Sequence, residues 1–156
     1  MSSAGLDSVD RTVQDTNLWL KAIARGLGTE NRKLAFEALR ATLHALRDRI
    51  GPENAIHLGA QLPMLVRGLY YEGWRPSGTP TRERHLDEFV DHVASMLPAR
   101  SELDPEAVGR VVFGVLAEHL DHGEIVKVMR MLPRQVRGLW PAGIMEGIAY
   151  LESQEL

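Results

Sequence analysis

Leu62-Pro63-Met64-Leu65-Val66-Arg67-Gly68-Leu69-Tyr70 returns seventy residues later as Leu132-Pro133-Arg134-Gln135-Val136-Arg137-Gly138-Leu139-Trp140. Held at that offset without gaps, identities run back through Leu46/Leu116, Arg40/Arg110, Leu27/Leu97 and Ala24/Ala94, and forward to Gly73/Gly143. Chemically similar pairs lie between them, among them Trp19/Phe89, Ile23/Val93, Leu43/Phe113, Ile50/Leu120 and Ile56/Val126. Residues 18–74 carry eleven identities in all, where ordinary residue frequencies would give about four. A period of this length signals two copies of a multi-helix unit. The expected fold is all-α. It is a tandem duplication of a four-helix unit, about residues 16–74 and 86–144, packed as one compact bundle with pseudo-twofold symmetry, and residues 1–156 form a single helical domain.

Hydrophobic spacing places the helices. Asp7-Ser8-Val9-Asp10 offers capping side chains for a first helix reaching about Arg25, with Trp19, Leu20, Ile23 and Leu27 apolar and Gly26 and Gly28 to end it. Phe36, Leu39, Leu43, Leu46 and Ile50 recur at steps of 3, 4, 3 and 4, which predicts one buried face on a second helix over about residues 30–49. Gly51-Pro52-Glu53 stops that helix and opens a short third, since proline suits a first helical position. Pro63 lacks an amide hydrogen and disfavours a helical Leu62, so the chain should break there and restart over residues 63–71. Trp74 to Pro80 reads as a linker. The second unit follows the same plan. Thr81 is expected to begin a helix that turns Leu86, Phe89, Val90, Val93 and Leu97 to the core; Asp104-Pro105-Glu106 opens the next, and residues 124–131 and 133–140 supply the third and fourth. A final amphipathic helix carries Ile144, Ile148 and Leu151. Nothing alternates with the two-residue period of a strand.

The run Ala38-Leu39-Arg40-Ala41-Thr42-Leu43-His44-Ala45-Leu46-Arg47, then a turn, a short helix and Gln61-Leu62-Pro63, resembles the bacterial family catalogued as domain of unknown function 2267. Val112-Phe113-Gly114-Val115-Leu116 through Met131-Leu132-Pro133 looks like the same motif again, and the resemblance spans about Trp19 to Trp140. It implies a small helical bacterial protein. It brings no catalytic residues, because the family carries no assigned activity.

Composition narrows the function classes. The 156 residues have a formal charge of −3, which argues against generic nucleic-acid binding, and no cysteine, which removes disulfides, thiolate catalysis and cysteine-held metals. Met1 to Asp7 lacks the basic and apolar regions of a signal peptide, and no apolar run is long enough for a membrane span, so the expected location is cytoplasmic.

Glu118-His119-Leu120-Asp121-His122-Gly123-Glu124 is the segment richest in metal-ligand side chains. The equivalent stretch of the first copy, Asp48 to Asn54, contains no histidine, so an ordinary interhelical turn is expected, with no metal and no cofactor. His85 and His92 lie seven apart without a further ligand, and His44 and His57 are isolated. No serine stands in a nucleophile elbow and no glycine-rich loop leads into a helix, so no catalytic residue is assigned. Lys127, Arg130, Arg134 and Arg137 would align on a helix continuous through Pro133. The first three are the candidate partner-binding residues, suited to an acidic protein. Arg137 matches Arg67 and reads as structural, as do Arg40/Arg110 and the glycines at 68 and 138, for which a close backbone approach is expected. Tyr70, Tyr71 and Trp74 should close the core beneath the linker. The resulting reading is a non-enzymatic binding or scaffold protein that self-associates. The alternatives are a small-molecule or metal-dependent enzyme with a pocket between the two units, and an adaptor that uses the basic residues.

Overall fold

The computed structural model describes residues 4–154, and those residues contain helices and turns with no strand. In chain order the helices are α1 (Ala4–Leu27), α2 (Arg32–Ile50), α3 (Pro52–Ala60), α4 (Met64–Tyr71), α5 (Leu86–Met96), α6 (Pro105–His119), α7 (His122–Met131), α8 (Arg134–Arg137) and α9 (Ala142–Gln154). Local chemistry sets most of the boundaries. The Asn31 side chain accepts a hydrogen bond from Lys33 N at 3.0 Å, and Asp104 accepts one from Glu106 N at 3.2 Å, so α2 and α6 start on capped amides. Gly28 and Gly51 end α1 and α2 at φ 71° and 87°, a backbone conformation that glycine adopts without a Cβ penalty. Proline breaks the chain at Pro63 and Pro133, immediately before α4 and α8.

The halves share one core. α2 lies at its centre and packs against α1, α5 and α6, while α1 also packs on α6 and α3 on α7. Trp19, Ile23, Leu39, Leu43, Leu46, Phe89, Val93, Phe113 and Leu116 are buried together. Phe113 links the Phe89 ring, at a centroid separation of 6.1 Å, to the Trp140 ring at 4.4 Å. Tyr70 is buried and donates its hydroxyl hydrogen to the Ala55 carbonyl at 2.7 Å, and the Tyr71 ring meets Tyr70 edge-on and lies tilted against Trp74.

Four expectations are corrected. α1 is already helical at Ala4, so Asp7, Ser8 and Asp10 lie inside it and do not cap its start. Thr81 does not begin a helix. Residues 81–85 are irregular because their backbone is bound elsewhere: Thr81 N donates to Asp48 O at 2.9 Å, and Glu83 O accepts from Arg49 Nε at 2.9 Å. α8 is a single turn, Arg134–Arg137, after which the chain runs on in tight turns, with Leu139 N donating to Val136 O at 3.0 Å and Trp140 N to Arg137 O at 3.1 Å. Phe36, at the edge of the apolar stripe of α2, is 42% exposed and stands outside the core.

Candidate protein-docking site

The repeated Leu-Pro-x-x-Val-Arg-Gly segment builds a braced corner in each half. Arg67 donates from Nε to Gly59 O at 2.9 Å and from a terminal nitrogen to Ala60 O and Leu62 O at 3.3 and 3.0 Å. Arg137 donates to Leu132 O at 3.2 Å and to Arg130 O at 3.4 Å, the carbonyls seventy residues beyond two of those. Each guanidinium thereby binds carbonyls in the last turn of α3 or α7 and in the Leu-Pro break that follows it. Arg137 also meets Glu152 on α9 at 3.2 Å. No close approach explains Gly68: a Cβ there would meet nothing within 4 Å, and one at Gly138 would meet only Gln135 O at 3.5 Å. The expected close packing at these glycines is absent.

The corner in the first half sets α4 beside α1. Pro63 offers α4 no capping side chain, and the Thr12 hydroxyl of α1 takes that role, accepting from Leu65 N at 2.8 Å. Between α1, α2 and α4 runs a groove of about 430 Å³, walled by Thr16, Phe36, Met64, Leu65 and Leu69. Met64 and Leu65 are 60% and 49% exposed, so with Phe36 they form a largely apolar rim open to water. Gly68 lies in the wall and keeps the groove open. On the opposite flank of α1 is a larger open groove, about 830 Å³, bounded by Asn17, Leu18, Lys21, Arg25 and Arg32.

Beneath α4, polar groups are buried and paired. Arg47, only 4% exposed, donates to Tyr70 O at 2.8 Å, to Glu72 O at 2.9 Å and to Asp48 at 2.9 Å. His44 bonds Leu69 O at 2.8 Å, which requires the proton on Nε2. Burial holds His44 below the ordinary histidine range, and the cations of Arg47 and Arg40 act in the same direction, while the Leu69 carbonyl opposes them. A second cluster latches residues 81–85 to α2 and α5. His92 Nδ1 bonds the Glu83 carboxylate, and its Nε2 lies 3.8 Å from Asp48 Oδ2. Burial alone would raise the Glu83 carboxyl. The nearby Thr81 side chain, Glu83's own amide and His92 outweigh it and hold the group below the ordinary carboxylate range. With Nδ1 bonded to Glu83 and Nε2 near Asp48, His92 is placed to fasten the loop to α2 and α5.

The basic candidates are divided by the Leu132-Pro133 break. Lys127 and Arg130 lie on α7 and Arg134 on α8, all three exposed, so no continuous helix aligns them with Arg137. His119 ends α6 and lies against the Trp19 ring at 5.2 Å, whereas His122 opens α7 and lies 3.7 Å from the Cβ direction of Gly147. Among the described residues no three histidine, aspartate or glutamate side chains converge as a metal site. His85 remains at the surface, and its amide donates to Glu88 at 3.0 Å. Sequence reasoning missed the Glu83–His92–Asp48 latch and the exposure of Phe36. No sequence signal marked the groove, because the open space beside Gly68 exists only in the folded chain.

Among the described residues no helix is long and apolar enough to cross a membrane. A family model described as "Uncharacterized conserved protein (DUF2267)" matches residues 16–139, from the middle of α1 to just beyond α8. No curated protein sequence matches the chain.

Proposed function

Because the chain belongs to the DUF2267 family, whose description names no activity, its role has to be read from its surface, and we propose a non-enzymatic binding or scaffold protein that self-associates. The observation that carries the binding reading is the apolar rim of Phe36, Met64 and Leu65 around the α1–α2–α4 groove. Contiguous exposed apolar surface beside a concave site is characteristic of protein-docking faces. A photo-crosslinking residue at Leu69 tests it in cells. Specific protein adducts should form with the wild-type rim and vanish with Met64→Asp/Leu65→Asp; an unchanged adduct pattern would count against the groove.

The same architecture is proposed to be a true duplication with a pseudo-twofold axis. Exchanging α1 with α5, α2 with α6 and α3 with α7 turns the packing of α1 on α2 into that of α5 on α6, and the packing of α1 on α6 into that of α5 on α2. The pairs α2/α6 and α3/α7 map onto themselves. The helix starts at Pro52 and His122, and at Met64 and Arg134, keep the offset of seventy. Both regularities support the reading.

Exposure of Lys127, Arg130 and Arg134 favours a second contact, with an acidic protein partner. Binding through such rim charges should weaken steadily as salt rises, and Lys127→Glu/Arg134→Glu should slow association. A salt-independent affinity would remove the basic residues from the interface.

A further inference from the structure

One face of α1 matches itself when reversed. Asp7, Asp10, Gln14, Asn17, Lys21 and Arg25 follow one another at steps of 3, 4, 3, 4 and 4, so they share a face of the helix, and all six are exposed. Read forwards the order is acid, acid, amide, amide, cation, cation; read backwards with charges inverted it is the same. Among the described residues Asp7, Asp10, Lys21 and Arg25 enter no ion pair within the chain. The face borders the larger groove, and none of the described residues covers it.

We propose that a second copy of this chain docks on this face, with the two α1 helices antiparallel and crossing a twofold axis between Asp15 and Thr16. This deepens the self-association reading above and rests on it. Such an interface is isologous, with each contact made twice. Asp10 of one copy faces Lys21 of the other, Asp7 faces Arg25, and Gln14 meets Asn17 near the axis. The axis falls at the midpoint of Ala4–Leu27, so the helices overlap over their whole length, about 36 Å at the α-helical rise. Val13 and Leu18, 44% and 58% exposed, lie on either side of the central amides and supply apolar shoulders. Asn17 Oδ1 accepts from Arg32, which fixes that side chain and leaves its amide hydrogens for the facing Gln14. Polar residues at the centre of a helix pair select register. A parallel arrangement would set acid against acid and cation against cation.

The test is sedimentation of the full chain, with far-UV circular dichroism to establish that each variant is folded. Asp10→Lys and Lys21→Asp should each weaken the dimer by at least about tenfold, since like charges then face each other twice. The double variant Asp10→Lys/Lys21→Asp should regain wild-type affinity. Because the natural chain has no cysteine, the paired variant Gln14→Cys/Asn17→Cys, whose thiols face each other across the axis, should oxidise to a covalent dimer, whereas Glu102→Cys, in a remote loop, should not. Single variants that dimerise as tightly as wild type would overturn this docking and leave self-association to another face. Loss without rescue in the double variant would overturn it as well. A wild type that remains monomeric at every attainable concentration would overturn both this docking and self-association, while the α4 groove stands on its own crosslinking test.

Discussion

Arg67 and Arg137 hold the carbonyls at the ends of α3 and α7, so their loss strips partners from groups that the fold has partly removed from water. Arg67→Ala and Arg137→Ala should each lower stability by about 1–3 kcal/mol in urea melts. Arg137 should cost at least as much, because it is the more buried at 14% side-chain exposure and also reaches Glu152. Leu46→Ala and Leu116→Ala delete fully buried side chains, and each should cost about 2–5 kcal/mol by the same measurement. pH acts through two groups. Glu83 is held below its ordinary value, so its contribution is fully present above that value of 4.5 and is lost as pH falls through the lower folded one. His44 is likewise held below 6.5, so the unfolded chain binds the proton more readily and stability should fall as pH drops below 6.5. A urea-midpoint series from neutral to mildly acidic pH should show that decline in the wild type and a shallower one in His44→Gln. The leucine pair was legible in the sequence because both sit in the middle of a periodic stripe. His44 and Arg47 were not, since their partners are main-chain carbonyls of a helix twenty-five or so residues away, which side-chain patterns do not report.

At the level of elements, glycine is informative where it has no packing role. Gly68 sits inside α4 with open space at its Cβ position and no positive φ. Gly68→Ala should therefore stabilise the protein by up to about 1 kcal/mol in thermal or urea melts, through helix propensity alone. A bulkier Gly68→Leu should retain the fold and fill the groove, so it should abolish the adducts formed at Leu69 in cells. Helix breaks were readable from proline and glycine, because those residues act on the backbone locally. The start of α5 was not: a five-residue segment that could have joined the helix is instead bound by Asp48, Arg49 and His92, all tertiary partners. Phe36 was misread for a related reason. It lies at the rim of its stripe, and whether such a residue is buried depends on how far a neighbouring helix reaches.

For the whole molecule, α2 packs on two helices of the other half, and both halves contribute to one continuous core. Residues 1–80 expressed alone should show little of the helical circular dichroism expected of α1–α4, and should recover it when mixed with residues 81–156. Independent folding of either half would mean that the shared core is dispensable. The all-α class followed from periodicity, since the apolar residues recur at three- and four-residue steps. The exposed rim of the α4 groove was out of reach, because exposure is a property of the assembled molecule. One bond within that surface has a kinetic meaning. The Leu65 amide, at the start of α4, gives its hydrogen to Thr12 on a different helix. Ordinarily an amide in the first turn would exchange with solvent deuterium almost at once, since nothing in its own helix protects it. Here protection requires α1 to be in place. The exchange rate of this single amide should therefore measure how often the N-terminal half of α1 lifts away, and Thr12→Val should make it fast while its neighbours deeper in α4 stay slow.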